Sequence, residues 1–332
     1  SPAKCPMRIA VLGAGAWGTA LAIAFAARHA VTLWSRDPAR VAEMSSRREN
    51  SRYLSGCPFP PGLQVTADFR AALTGVDLTI LAAPLAGLRS LLEQYKAIAP
   101  SVPFLWVCKG LEAGSGLLPH QVVDAVMGDV ACGVLTGPSF ALEVARGLPA
   151  AVTLAATDAT FAAKTAQSLH GGKLRIYASE DLVGAEVGGA VKNVLAIATG
   201  ICDGLGLGNN ARAALITRGL VEITRFGEAL GAKRETFMGL AGMGDLMLTC
   251  TGDLSRNRRV GLLLAEGKAL PDIVRELGHV AEGVPAAREV ARRAAELGID
   301  MPITCAVTAV LDGRITPVAA VEQLMARDPK HE

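Results

Sequence analysis

The side chains best suited to chemistry lie in the second half of the chain. Lys192 stands beside Asn193 in Asp181–Cys202, a stretch of otherwise small and apolar residues. At helical spacing Gly188, Gly189, Ala196 and Thr199 share its face. Small neighbours predict open space above the helix and a lysine directed into it. A lysine in a poorly solvated site can act as general acid or base. A lysine at a helix edge, carrying its ammonium out to water, is the plain alternative. The densest polar segment, Gly239–Asn257, holds Asp245, Thr249, Ser255, Arg256 and Asn257. Ser255 is placed to cap a helix whose first turn then carries Arg256, Arg258 and Arg259 and no acid. Positive charge at the positive end of a helix is a cost. An anion bound there removes the cost, so the segment points to a phosphate or carboxylate. For Arg258 and Arg259 a solvated basic turn serves equally well.

A second constellation opens the chain. Arg8–Leu12 is a short apolar run, followed by Gly13-Ala-Gly15-Ala16-Trp17-Gly18 and a helical stretch to Ala27. In a strand–turn–helix unit these glycines have separate roles. Gly13 permits the tight turn, Gly15 lets backbone approach a pyrophosphate, and Gly18 lets helix and strand pack closely. The free N–H groups of the helix start then face phosphate. The uncharged run Ile9–Ala27 has the length of a leader or membrane segment, but its glycines make the strand–turn–helix reading the better one. The opening Ser1-Pro2 reads as an addition ahead of the native start. At the end of the next apolar run stands Ser35-Arg36-Asp37. Arg there suits a ribose 2′-phosphate and an acid suits a 2′-hydroxyl, so Arg36 favours NADP(H) unless Asp37 holds the critical place. Lys109 follows the run Pro103–Val107, and Thr136-Gly137-Pro138-Ser139 follows another. Ligands of open α/β sheets bind at the carboxyl ends of strands, which suits both. A simple helix cap accounts for the second equally well.

These residues need a scaffold. Short apolar runs at Arg8–Leu12, Val31–Trp34, Asp77–Ala82, Pro103–Val107, Gly133–Thr136, Val152–Ala155 and Leu174–Tyr177 are mostly separated by potential helices. That alternation predicts a doubly wound parallel sheet in an α/β, Rossmann-like domain. Strands then stop. Helices are predicted at Asp181–Cys202, Asn210–Leu230, Ser255–Glu266, Pro285–Leu297 and Pro302–Leu311, with Gly231, Gly267, Gly298 and Gly313 at helix ends. The expected division is a dinucleotide-binding domain over residues 1–185 and an all-helical substrate domain over 186–332, packed directly with a cleft for ligand.

Composition narrows the function classes. The 332 residues are 51% hydrophobic, much of it alanine, and 4% aromatic, which fits a helix-rich enzyme. With 33 basic and 31 acidic residues the chain lacks the general basic surface of a nucleic-acid binder. Seven irregularly spaced cysteines without C-x-x-C read as reduced thiols in a cytoplasmic protein, and no His or Cys spacing suggests a metal.

Taken together, Gly13–Gly18 with Trp17, Lys109-Gly110-Leu111-Glu112, Gly137-Pro138-Ser139-Phe140-Ala141, Val191-Lys192-Asn193, Gly244-Asp245-Leu246 and Leu254-Ser255-Arg256-Asn257-Arg258 resemble the bacterial NAD(P)-dependent glycerol-3-phosphate dehydrogenases. The match runs in order from about Met7 to about Met325. The resemblance implies interconversion of sn-glycerol 3-phosphate and dihydroxyacetone phosphate for glycerophospholipid synthesis. It also implies a second domain like that of 6-phosphogluconate dehydrogenase, and a homodimer. Lys192 is then the proton donor and acceptor. Lys109, Gly137, Ser139, Lys192, Asp245, Ser255, Arg256 and Asn257 are implied substrate contacts, with Thr249 near the substrate phosphate. Implied cofactor contacts are Gly13, Gly15, Ala16, Trp17, Gly18, Arg36, Lys109, Ala141, Arg256, Val280 and Glu282. Ala16 stands where many relatives have Ser, and Gly252 replaces a more usual Ser; neither touches the implied chemistry. Two other classes fit the plan less well: a 3-hydroxy acid dehydrogenase, whose lysine and asparagine are usually a turn apart, and a non-catalytic NADPH sensor.

Overall fold

The computed structural model describes residues 5–279 and 281–327. Its contacts divide the chain into two compact units. The first comprises residues up to Lys109 and Pro119–Leu182; the second comprises Gly110–Leu118 and everything from Val183.

Unit 1 alternates β1 (Arg8–Leu12), α1 (Ala16–Ala26), β2 (Ala30–Trp34), α2 (Pro38–Arg47), β3 (Leu63–Thr66), α3 (Phe69–Leu73), β4 (Leu78–Leu81), α4 (Leu85–Ile98), β5 (Phe104–Trp106), α5 (Pro119–Met127), β6 (Cys132–Thr136), α6 (Ala141–Ala145), β7 (Ala150–Ala155), α7 (Ala159–Leu169) and β8 (Leu174–Ser179). The sheet order is β3-β2-β1-β4-β5-β6-β7-β8. β1 lies between β2 and β4, all parallel, with Leu12 opposite Trp34 and Leu81. Because helices cover both faces, strands such as Leu78–Leu81 are buried at every position. The doubly wound sheet expected from the alternation is thus present, with one antiparallel seam between β6 and β7. There the five-residue α6 makes no full crossover, and the chain turns back along its neighbour. β3, four residues long, carried too little pattern to be read from the sequence.

Unit 2 contains α8 (Leu182–Gly204), α9 (Gly208–Ala229), a 3₁₀ turn (Arg234–Met238), a π turn (Leu240–Gly244), α10 (Asp245–Thr251), α11 (Arg256–Ala265), α12 (Leu270–Leu277), α13 (Gly283–Leu297), α14 (Pro302–Leu311) and α15 (Pro317–Met325). Gly231, Gly267, Gly298 and Gly313 all have positive φ just past helix ends, as expected. α8 is long and apolar enough to cross a membrane, with mean hydropathy 1.3, but 94% of that window is buried inside the protein. It is the central core helix of the unit.

Glycines let other elements meet α8 backbone to backbone. A Cβ on Gly200 would lie 2.0 Å from the Arg258 carbonyl oxygen, and one on Gly261 would lie 2.1 Å from that of Ile197. The first turns of α11 therefore cross α8 at van der Waals contact. A Cβ on Gly188 would lie 2.3 Å from the Ala241 carbonyl oxygen, so the π turn sits equally close. At Gly188, one turn before Lys192, the small residue thus does not leave open space, as its size suggested; backbone of the segment that leads into Asp245 fills it.

Candidate active site

In unit 1 the Gly-rich turn is built by exclusion. Gly13 has φ 124°, and a Cβ there would lie 2.7 Å from the Ala82 carbonyl oxygen. A Cβ on Gly18 would lie 2.1 Å from the Gly13 carbonyl oxygen. Both positions demand glycine for the fold itself. Gly15 is different: its φ of −76° suits any residue, and nothing lies within 4 Å of its missing Cβ. Open space beside backbone at the start of α1, whose first turn has no acid and no side-chain cap, fits a dinucleotide pyrophosphate. Sequence reasoning missed what holds this turn. Arg40 and the buried Asn50 both donate to the Ala14 carbonyl oxygen, at 3.1 and 3.0 Å, and Asn50 also donates to the Thr19 hydroxyl at 2.9 Å. Neither residue belongs to a local motif; only the fold brings them to the loop.

The two residues at the end of β2 differ in their surroundings. Asp37 is the N-cap of α2, and its carboxylate accepts from the Ala39 N–H at 3.0 Å. Arg36 is exposed just beyond β2. Lys109 is half-buried shortly after β5. Ser139 does not cap a helix, because α6 begins at Ala141 and the Ser139 hydroxyl donates to the Gly137 carbonyl oxygen at 3.0 Å. Gly137, at φ 147°, is required by packing, since a Cβ would lie 2.9 Å from Val152 Cα. Ala16 and Trp17 form the first turn of α1, both half-buried.

In unit 2 the fold collects the polar residues of three separate segments. Lys192 Nζ lies 2.6 Å from Asp245 Oδ1, with the two side chains 8% and 2% exposed. Lys192 is therefore no solvated edge lysine. Its ammonium, which burial alone would disfavour, is compensated by a carboxylate at contact distance. Asp245 opens α10, where a negative charge is favoured by the helix dipole, and Thr249 one turn on donates to Asp245 Oδ1 at 3.4 Å. Burial pushes the neighbouring Cys250 thiol up to about 12.

α11 starts as its sequence predicts. The Ser255 hydroxyl accepts from the Arg258 N–H at 3.2 Å, and the first turn contains no acid. Asn257 is buried and its Oδ1 accepts from the Gly283 N–H at 2.8 Å, leaving its amide nitrogen as the donor. Arg256 is exposed, with Nη1 3.3 Å from His279 Nε2. Arg258 departs from its expected role as an anion ligand or solvated cation. It is tied to Asp203 on α8, with Nε and Nη2 each 3.1 Å from Oδ2. Asn193 Nδ2 donates to Glu282 Oε2 at 3.4 Å, so Lys192-Asn193 is fixed on one side by α10 and on the other by the start of α13. Val280 lies outside the described residues. The arrangement offers a buried, charge-balanced proton donor together with a helix start carrying an available arginine and an amide donor.

Two sequence families cover nearly the whole chain: the NAD-dependent glycerol-3-phosphate dehydrogenase N-terminus matches residues 8–162, and the C-terminus of the same enzyme matches residues 181–322. Glycerol-3-phosphate dehydrogenase (NAD(P)+) of Dechloromonas aromatica (strain RCB) is 64% identical over 327 residues, 98% of this chain and 99% of its own length. The corresponding protein of Aromatoleum aromaticum is 61% identical over 98% of this chain and 100% of its own. Among solved structures, glycerol-3-phosphate dehydrogenase from Coxiella burnetii superimposes with a TM-score of 0.92 at 43% identity, covering 97% of this chain and 99% of that one. The chain belongs to the NAD-dependent glycerol-3-phosphate dehydrogenase family.

Proposed function

We propose that the protein interconverts sn-glycerol 3-phosphate and dihydroxyacetone phosphate with NADP(H) or NAD(H), supplying glycerol 3-phosphate for glycerophospholipid synthesis. The observation that carries this reading is the buried Lys192–Asp245 pair at 2.6 Å, in the same unit as the acid-free helix start of Arg256 and Asn257. Residues 1–185 act as the dinucleotide domain and 186–332 as the substrate domain. When bound, the reduced dinucleotide supplies a hydride to the ketone carbon. Lys192 Nζ gives its proton to the alkoxide oxygen that develops, and takes it back from the hydroxyl in the reverse direction. Asp245 holds Lys192 in place and balances its charge. Arg256 and the Asn257 amide take the substrate phosphate, with Ser255 capping the helix that presents them and Thr249 bracing Asp245. Lys109, Gly137 and Ser139 belong to the same proposal as substrate contacts, and Lys109 adds positive charge toward the alkoxide. Gly13, Gly15, Ala16, Trp17, Gly18, Arg36, Lys109, Ala141, Arg256 and Glu282 hold the dinucleotide.

The free thiols of all seven cysteines support a cytoplasmic setting. Self-association as a homodimer belongs to the same proposal, and sedimentation tests it. The activity is tested by loss of nicotinamide absorbance with dihydroxyacetone phosphate, run with NADPH and with NADH. Turnover of 3-oxo acids but not of dihydroxyacetone phosphate would overturn the substrate assignment.

A further inference from the structure

We propose that Asp203 is a positioning residue for phosphate recognition, acting through Arg258 to hold the first turn of α11. The inference rests on the reading that Arg256 and Asn257 take the substrate phosphate. Asp203 is the penultimate residue of α8, about three helical turns past Lys192. Its side chain is 8% exposed and carries two cations: Oδ1 accepts from Arg212 Nε at 2.8 Å, and Oδ2 from Arg258 Nε and Nη2 at 3.1 Å.

Arg258 is thereby held from three sides. Its N–H meets the Ser255 cap, its guanidinium meets Asp203, and its carbonyl oxygen presses against Gly200 of α8. Arg256 and Asn257 are the two residues strung between Ser255 and Arg258, so the clamp sets where they point. The clamp also sorts the charges. Arg256, Arg258 and Arg259 crowd a helix end that is already positive and has no acid of its own. Asp203 takes Arg258 out of that crowd and leaves Arg256 for the anion. With a neutral side chain at 203, Arg258 keeps only the fully exposed Asp253, 3.5 Å from its Nη1, and is no longer drawn to α8, so it competes for the phosphate in the wrong register. Lys192 and Asp245 keep each other as partners at 2.6 Å, so kcat reports on them separately.

The test compares Asp203→Asn, Arg258→Gln, the double variant and Arg256→Ala. Each is assayed with dihydroxyacetone phosphate and with dihydroxyacetone, which lacks the phosphate. Asp203→Asn is expected to raise KM for dihydroxyacetone phosphate roughly 10- to 100-fold, the scale of a small misplacement of binding groups, with kcat held within about threefold. The kcat/KM preference for the phosphorylated substrate shrinks by the same factor. Arg258→Gln does likewise, and the double variant is no worse than the poorer single, because both remove one shared contact. An unchanged KM and preference in Asp203→Asn, or an equal loss of kcat with both substrates, overturns the positioning role. Should Asp203→Asn fail to fold, Arg258→Gln, which leaves Asp203 paired to Arg212, decides the same question. Arg256→Ala separates the two levels: if it leaves the preference for phosphate intact, the phosphate reading fails and this inference falls with it.

Discussion

Replacing Lys192 by Met removes the ammonium while nearly conserving side-chain length. Two losses follow, and the structure lets them be separated. Asp245, 2% exposed, is left with a buried charge whose partner at 2.6 Å is gone. Breaking a buried pair in this way costs about 3–5 kcal/mol. For a unit of this size each kcal/mol moves Tm by about 2–4 °C, so Tm should fall by about 6–20 °C. The chemical loss is distinct: without its proton donor the enzyme should lose about 10²–10⁴-fold in kcat. Adding Asp245→Asn removes the uncompensated charge. The double variant should regain most of the Tm and none of the turnover. Calorimetry, steady-state reduction of dihydroxyacetone phosphate and NADPH titration, which should be unaltered, make the set. Turnover within about tenfold of the parent in Lys192→Met would refute proton transfer by this residue. A double variant as unstable as the single would refute the charge-balance argument.

Other expectations concern the dinucleotide site and pH. Gly15→Val should leave Tm unchanged, because the backbone is extended and no atom lies within 4 Å of the Cβ position, yet weaken NADPH at least about tenfold by filling the cradle; equal NADPH affinity would remove Gly15 from the site. Gly18→Val, which collides with the Gly13 carbonyl, should fold poorly, as expression and circular dichroism would show. Arg36→Ala should weaken NADPH and spare NADH, shifting the NADPH/NADH ratio of kcat/KM; a parallel loss with both would show that Arg36 does not read the 2′-phosphate. Glu222, buried in unit 2, caps the start of α14 by accepting from the Ile303 and Thr304 N–H groups. Burial pushes its carboxyl up from the usual 4.5 to about 7, against the pull of those hydrogen bonds. A carboxyl raised on folding stabilises most below its unfolded value, and that contribution drains away as pH rises through about 7. Glu222→Gln should therefore flatten the part of the Tm–pH curve that falls between about pH 4.5 and 7 in the parent. Identical curves would show that Glu222 does not titrate in that range.

The sequence alone determined the features that are local. The Gly13–Gly18 turn was legible because its spacing and its flanking strand and helix lie within one continuous segment. The same holds for the Ser255 cap and for the glycines at the helix ends. The apolar runs marked seven of the eight strands because a sheet covered on both faces leaves no polar alternation to obscure them. The short helices α10 and α12 were not read, since seven or eight residues carry about two turns of pattern.

Tertiary structure decided which of several plausible roles each polar residue plays. From sequence, Lys192 was as readily a solvated edge lysine as a buried acid. Its face looked open because its neighbours are small, and only the approach of the π turn at Gly188 shows that the space belongs to protein and that Asp245 arrives with it. Asp37 gave no sign in the sequence reading of its part as the cap of α2, where it accepts from the Ala39 N–H. Arg258 looked like a second anion ligand until a carboxylate 55 residues away in the chain claimed it. Asn50 and Asp203 carried no signal, because Ala14 and Thr19 in the one case and Arg258 in the other are remote in sequence. The physical reason is common to all of these. Hydrogen-bonding capacity and charge are written in the residue type, but whether they are spent within the fold or kept for a ligand depends on neighbours that chain topology brings within about 3 Å.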